Sequence, residues 1–272
     1  MKKILLAFDG QHFSEGAFQM ARYLHSQEPC LITGVFLNPV DYREVIGYSG
    51  MGIGAPVVVP MIEHDEAVIA RNIKHFEAKC EENKMEYRIH KDSQVFALSE
   101  LATETRFADL LVISSELFYQ NIDKGQPNDY LKKTLHYAEC PVLLVPEDFS
   151  PPSSLIIAYD GKASSVYAIK QFSYLFPAMK KLKTLVVSFE PDGGDVPRKD
   201  YITELATRHY PDISFQSFDI EPREFGTWVS EKKGVLLITG AFGRGELPSL
   251  FKKSFATQVI QEHRVPLFIA HR

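Results

Sequence analysis

The chain has 272 residues, 45% of them hydrophobic, with a formal net charge of −5 and a pI near 6.0. Length and apolar content suit two domains of about 100–150 residues each. The acidic balance argues against a nucleic-acid partner held by bulk charge, while leaving room for a small anion held by backbone amides. Cys30, Cys80 and Cys140 include no Cys-x-x-Cys spacing, which predicts free thiols in a reducing compartment and no metal or redox role. The apolar opening stops at Asp9, too short for a secretory leader. No run nears the roughly 18 apolar residues of a membrane span, so a cytoplasmic location without a membrane partner is expected.

In chain order, Ile4–Phe8 is a short continuous apolar run, the mark of a strand buried on both faces. Phe13, Ala17, Met20, Ala21 and Leu24 follow at helical spacing. Cys30–Leu37 reads as a strand, Asn38–Pro60 as a glycine-containing loop, and Ile62, Ile69, Ile73, Phe76 and Cys80 as the stripe of a long helix. Tyr87–His90, Leu110–Ser114 and Val142–Val145 are further strands. Between them lie a helix around Val95–Thr105 and another over Tyr130–Ala138. The linker, residues 147–153, holds Pro151 and Pro152, which cannot continue a helix or central strand. Beyond it the strands are Leu155–Tyr159, Thr184–Phe189, Ser214–Phe218, Val235–Thr239 and Leu267–Ala270. Helices are expected over Ser164–Phe176, Arg198–His209, Arg223–Lys233 and Phe255–His263. Such alternation predicts an α/β fold with parallel sheets covered on both sides.

The chain also repeats itself. Lys3–Gly10 (KILLAFDG) returns as Ser154–Gly161 (SLIIAYDG), so Asp9-Gly10 recurs as Asp160-Gly161 at an offset of 151. Cys140–Val145 (CPVLLV) answers Val265–Ala270 (VPLFIA) at an offset of 125, making the second copy 26 residues shorter. Two domains are therefore expected, 1–147 and 153–272, each a five-stranded doubly wound sheet.

Ligands in open parallel sheets collect beyond the carboxyl ends of the strands, where Asp9 and Asp160 stand. A carboxylate there can accept from a ribose or base, or it can order the turn and cap the next helix. After the fourth strand of the second copy comes Gly240-Ala-Phe-Gly243-Arg-Gly245. Glycines admit close approach of a phosphate, and the helix start near Lys253-Ser254 adds free amides.

With these residues in place, the chain resembles a tandem universal stress protein over nearly its whole length, apart from Asp41–Pro60 and the linker. The ATP-binding branch of that family carries Gly-x2-Gly-x9-Gly-[Ser/Thr] after its fourth strand. Gly240, Gly243 and Ser254 match, whereas Lys253 replaces the third glycine. The resemblance implies an adenine-nucleotide (ATP) site at Ala158, Asp160, Phe189, Gly240, Gly243, Lys253 and Ser254. It also implies domains of the adenine nucleotide alpha-hydrolase-like type packed as an intramolecular pseudo-dimer through Val142–Val145 and Leu267–Ala270. Further homodimer association is left open. In the first copy the motif positions are Ser115, Phe118, Asn128 and Asp129, with Val35 aligned to Phe189. Asp129 and Glu116 would set carboxylates against a polyphosphate, so this copy is expected not to bind ATP. Lys253 either obstructs the phosphates or supplies them a cation.

His64 and His75 lie about 16 Å apart along one helix, too far to share a metal, and are read as solvated. Gly50-Met-Gly52-Ile-Gly54 lacks the last glycine and the preceding strand of a dinucleotide fingerprint. The apolar Gly47–Pro60 loop is a candidate contact for a non-nucleotide partner. Trp228 is expected in the core. No nucleophile with an adjacent base is apparent. The expectation is a stress-response binding protein, at most a weak ATPase; the alternative is an interaction scaffold with both sites degenerate.

Overall fold

A computed structural model describes residues 2–37, 55–91, 97–120, 128–189, 194–220, 222–240 and 255–270. The chain divides into two compact units, Met1–Glu139 and Cys140–Arg272.

The first unit contains strands β1 (Lys2–Phe8), β2 (Cys30–Phe36), β3 (Tyr87–Lys91) and β4 (Leu110–Ser114). Helices α1 (Glu15–Gln27), α2 (Ala55–Glu82), α3 (Ala97–Thr105) and α4 (Asp129–Tyr137) connect or follow them. All pairings are parallel, in the order β3-β2-β1-β4. Ile4–Phe8 and every residue of β4 are buried, because the crossover helices cover both faces of the sheet. Ser14 caps α1 by accepting from the Ala17 amide at 3.0 Å, and Asn128 caps α4 through the Leu131 amide at 2.8 Å, each occupying a donor the helix cannot use. The core centres on Phe8, Phe18, Phe36 and Phe76, with Phe8 stacked on Phe36 at 4.9 Å. Gly34 makes room for Phe76: a Cβ there would stand 2.9 Å from the ring.

The second unit opens with β5 (Val142–Val145) and continues with β6 (Ser154–Ala158), β7 (Lys183–Phe189), β8 (Ile213–Phe218), β9 (Val235–Gly240) and β10 (Leu267–Ala270). Its helices are α5 (Ala163–Leu175), α6 (Lys199–His209), α7 (Pro222–Ser230) and α8 (Phe255–Glu262). The sheet order is β5-β10-β9-β6-β7-β8. All its strands run parallel except β5, which pairs antiparallel with β10, Val142 opposite Ile269. The last strand of the first repeat is thus hydrogen-bonded to the last strand of the second. Phe172, Phe176 and Phe268 form the apolar centre under α5, with Phe172 edge-on to Phe268 at 5.2 Å.

Three expectations change. The loop read over Asn38–Pro60 ends sooner, because α2 already begins at Ala55. Pro56 suits the first turn, where amide donors have no intrahelical acceptor, so the Ala-Pro-Val-Val-Val run joins the helix; the rest of that loop lies outside the described residues. Trp228 is half-buried rather than core, its ring lying near Phe218 and Phe225 with the Lys232 ammonium 4.5 Å from its centroid. A short 3-10 turn at Met179–Lys181 carries no apolar periodicity and was not expected.

Candidate functional site

In each unit the strand order reverses between the first and fourth strands of the repeat, β1/β4 and β6/β9. The crevice at their carboxyl ends is where this architecture receives ligands.

In the first unit that crevice is closed by the chain itself. Asp9, only 4% exposed, accepts at Oδ1 from the amides of Gln11 (3.1 Å) and His12 (2.8 Å). At Oδ2 it meets His12 Nδ1 (2.8 Å) and the amide of Tyr119 (3.0 Å). The Tyr119 bond crosses the crevice from the turn after β4. Tyr119 is buried, takes a left-handed φ of 57° and stacks on Tyr130 at 4.2 Å. Asn128 Nδ2 donates to the Phe118 carbonyl at 2.7 Å while its Oδ1 caps α4. Two of the motif-equivalent positions, Phe118 and Asn128, therefore bond each other. Asp129 points outward, 66% exposed and paired with Lys132 at 2.9 Å, and Lys132 holds its carboxyl below the usual carboxylate range.

In the second unit the Asp-Gly turn is kept. Gly161 has φ +75°, as Gly10 has +80°, a conformation glycine adopts without strain. Asp160 accepts at Oδ1 from the Lys162 amide (3.0 Å) and Ser165 Oγ (2.8 Å). At Oδ2 the nearest cation among the described residues is Lys162 Nζ, 3.7 Å away. Its side chain is 37% exposed, against 4% for Asp9, so it still faces solvent at the strand edge.

The other candidate residues are placed as follows. Ala158 is buried at the end of β6, between Val187 and Thr239. Phe189 ends β7, paired with Phe218 and edge-on to Phe225 at 4.7 Å. Gly240 ends β9, where a Cβ would stand 2.3 Å from the Ser164 carbonyl carbon and 2.4 Å from the Ser165 amide. The glycine lets the first turn of α5 sit directly on the strand end. Gly243, Lys253 and Ser254 lie outside the described residues, as do Gly47–Gly54. Ala158, Asp160 and Gly240 are thus brought to one strand edge, and Phe189 stands farther along it. The first copy's Val35 is buried in β2 opposite Ala7, as Val187 is opposite Ala158, so its counterpart in the strand register is Val187 rather than Phe189.

Sequence reading missed Tyr119. Its signal is faint, an aromatic pair at Phe118-Tyr119 where the motif calls for a small residue. Of the paired histidines, His75 is half-exposed and donates or accepts at 3.1 Å with Glu15, while the His64 side chain lies outside what is described. No group of three potential metal ligands occurs among the described residues, and no described helix is long and apolar enough to cross a membrane.

Neither a family model nor a curated protein matches the chain. Solved structures do. A universal stress protein from Archaeoglobus fulgidus DSM 4304 superposes with a TM-score of 0.67 at 14% identity, over 100% of this chain and 96% of that one. A functionally unknown protein from Pseudomonas aeruginosa PAO1 reaches 0.55 at 10% identity, covering 100% and 92%. A candidate universal stress protein from Pseudomonas aeruginosa UCBPP-PA14 reaches 0.55 at 11%, covering 100% and 93%. The fold is the α/β fold of the universal stress proteins.

Proposed function

We propose that this chain is a universal stress-type binding protein with two repeated domains, acting in the cytoplasm, and that it holds an adenine nucleotide in its second domain alone. The observation carrying this reading is the contrast between the two aspartates. Asp9 is buried with both oxygens bonded, one of them to the Tyr119 amide across the crevice, whereas Asp160, bonded only within its own turn and helix start, keeps a side chain 37% exposed at the equivalent edge.

The residues on the sugar side fit such a guest. Asp160 Oδ2 is an acceptor for ribose hydroxyls, Ala158 leaves room beside the base, and the β7 backbone up to Phe189 offers polar groups at its end. The phosphates would fall to Gly243, Lys253 and Ser254. ATP would bring its charge and its transferable phosphoryl group. The residues placed at this strand edge, Ala158, Asp160, Phe189 and Gly240, contribute binding and orientation, and none of them forms a hydroxyl–imidazole or thiol–imidazole pair, so the reading is of a holder rather than a catalyst.

Titrating the full chain with ATP in a calorimeter tests this. One equivalent should bind, and Asp160→Ala should weaken binding roughly tenfold, as loss of a charged hydrogen-bond acceptor does. Absence of heat at millimolar ATP removes the reading. The scaffold alternative draws on Gly240, whose conservation of space is accounted for by its contact with α5, so this glycine alone does not argue for a ligand.

A further inference from the structure

The second unit holds a groove of about 930 Å³ on the α5/α6 side of its strand edge, within the size range of small-molecule sites. Lys162, Lys170 and Arg198 line it, with Val166, Ile202 and Leu205 forming an apolar stretch and Tyr167 and Tyr201 adding rings. No carboxylate is among the lining residues; Asp160, between the lining residues Tyr159 and Gly161 in the chain, meets the Lys162 ammonium at 3.7 Å.

The first unit shows what the same position looks like when filled. Register fixes the correspondence. Ile4 pairs with Ile32 and Ile32 with Tyr87, as Leu155 pairs with Thr184 and Thr184 with Ile213. Tyr87 and Ile213 are 126 apart, so along the preceding helices Asn72 answers to Arg198, His75 to Tyr201 and Lys79 to Leu205. On α1 the offset of 151 matches Gln11 with Lys162, Glu15 with Val166 and Gln19 with Lys170. In the first unit Asn72 Nδ2 donates to the carbonyls of Gly10 (3.1 Å) and Gln11 (3.2 Å). Glu15 spans the helices to Lys79 (2.9 Å) and His75 (3.1 Å). The residues at the corresponding positions of the second unit differ in kind. The Glu15–Lys79 pair becomes Val166 and Leu205, the filler Asn72 becomes Arg198, and two neutral glutamines become lysines.

Arg198 carries a further sign. It starts α6 in the left-handed conformation, φ 50° and ψ 44°, with no side-chain cap bond. A non-glycine residue held there is strained, and such strain is often kept where a side chain must be aimed.

We propose that this groove is a binding site for a small organic anion of the phosphate monoester class, its flat apolar body along Val166, Ile202 and Leu205 and its phosphate among Lys162, Lys170 and Arg198. Lys170 and Arg198, with Lys162 shared with Asp160, leave the lining net positive and select a charged headgroup over a neutral one, arginine offering a planar fork to its oxygens. The apolar floor and tyrosine rings favour an aryl body over a bare phosphate.

The test uses the full chain with phenyl phosphate and, separately, phenol. Phenyl phosphate should bind with a measurable Kd and phenol at least tenfold more weakly. The double variant Arg198→Asn, Lys170→Gln installs the first unit's residues, and asparagine tolerates the left-handed conformation, so it should keep its melting temperature while losing roughly tenfold or more in affinity for phenyl phosphate. The proposal is overturned if the wild-type chain fails to bind at roughly 10 mM, if phenol binds equally well, or if the well-folded double variant keeps its affinity. Phenyl phosphate that stays bound beside ATP supports a separate site; competition between them overturns one. Because the probe is not a nucleotide, this groove and the ATP reading can fail independently.

Discussion

Asp9 and Asp160 each follow the first strand of their unit, in an Asp-Gly turn, and bear different burdens. Asp9 satisfies three backbone amides and one imidazole nitrogen from a buried place. Removing its carboxylate strands donors that water reaches poorly, which costs more than the bond itself. Asp9→Ala should destabilise the first unit by about 3 kcal/mol, and Asp160→Ala, with two bonds and an exposed side chain, by about 1 kcal/mol; urea unfolding of the two variants measures the difference. The sequence made both residues visible as Asp-Gly turns, since the positive φ of Gly10 and Gly161 leaves a readable dipeptide. It could not reveal which aspartate was spoken for. That depends on Tyr119, 110 residues away from Asp9 in the chain, a long-range contact without periodicity or spacing.

At the scale of elements, strands and helices were legible wherever burial was continuous. β1, β2, β4 and β10 are apolar runs because both faces are covered. Helix ends were read to within a few residues, except for α2. There the segment from Ala55 to Pro60 was read as the end of a loop, whereas it forms the start of the helix. The contact between β9 and α5 was hidden altogether. Gly240 looked like part of a phosphate turn, yet it also lets helix backbone come within 2.3 Å of where a Cβ would stand. Since backbone cannot rotate away as a side chain tip can, Gly240→Ala should push α5 off the strand end and cost about 3 kcal/mol, read as a lowered melting temperature with or without nucleotide. A loss of ATP affinity in that variant would consequently say little about direct contact, and Asp160 is the cleaner probe.

Across the molecule, the duplication was the strongest message in the sequence and the divergence between copies the weakest. Recurrent motifs survive in single residues, whereas a crevice is closed or left open by combinations such as Tyr119 with Tyr130 or Asn72 with two carbonyls. One consequence for the chain as a whole concerns alkaline pH. Burial pushes the Cys30 thiol up to about 11, with Glu28 adding to the rise and Lys2 opposing it, and the Cys80 thiol up to about 12. In the unfolded chain both ionise near the ordinary value of 9.0. The native thiols hold their protons longer, so stability is full below about pH 9 and falls as pH rises toward 11–12. Unfolding free energies measured along that range should decline, and a Cys30→Ala, Cys80→Ala chain should decline less steeply.

The amide of Tyr119 resting on Asp9 has a thermodynamic corollary. A fold that supplies its own occupant gains nothing from cargo in the surrounding medium, whereas an open relative becomes harder to melt in proportion to the logarithm of whatever it captures. If only the later repeat accepts a guest, metabolite abundance tunes the resilience of that half and leaves the earlier one indifferent, so a single polypeptide carries both a constant and a responsive partner within it.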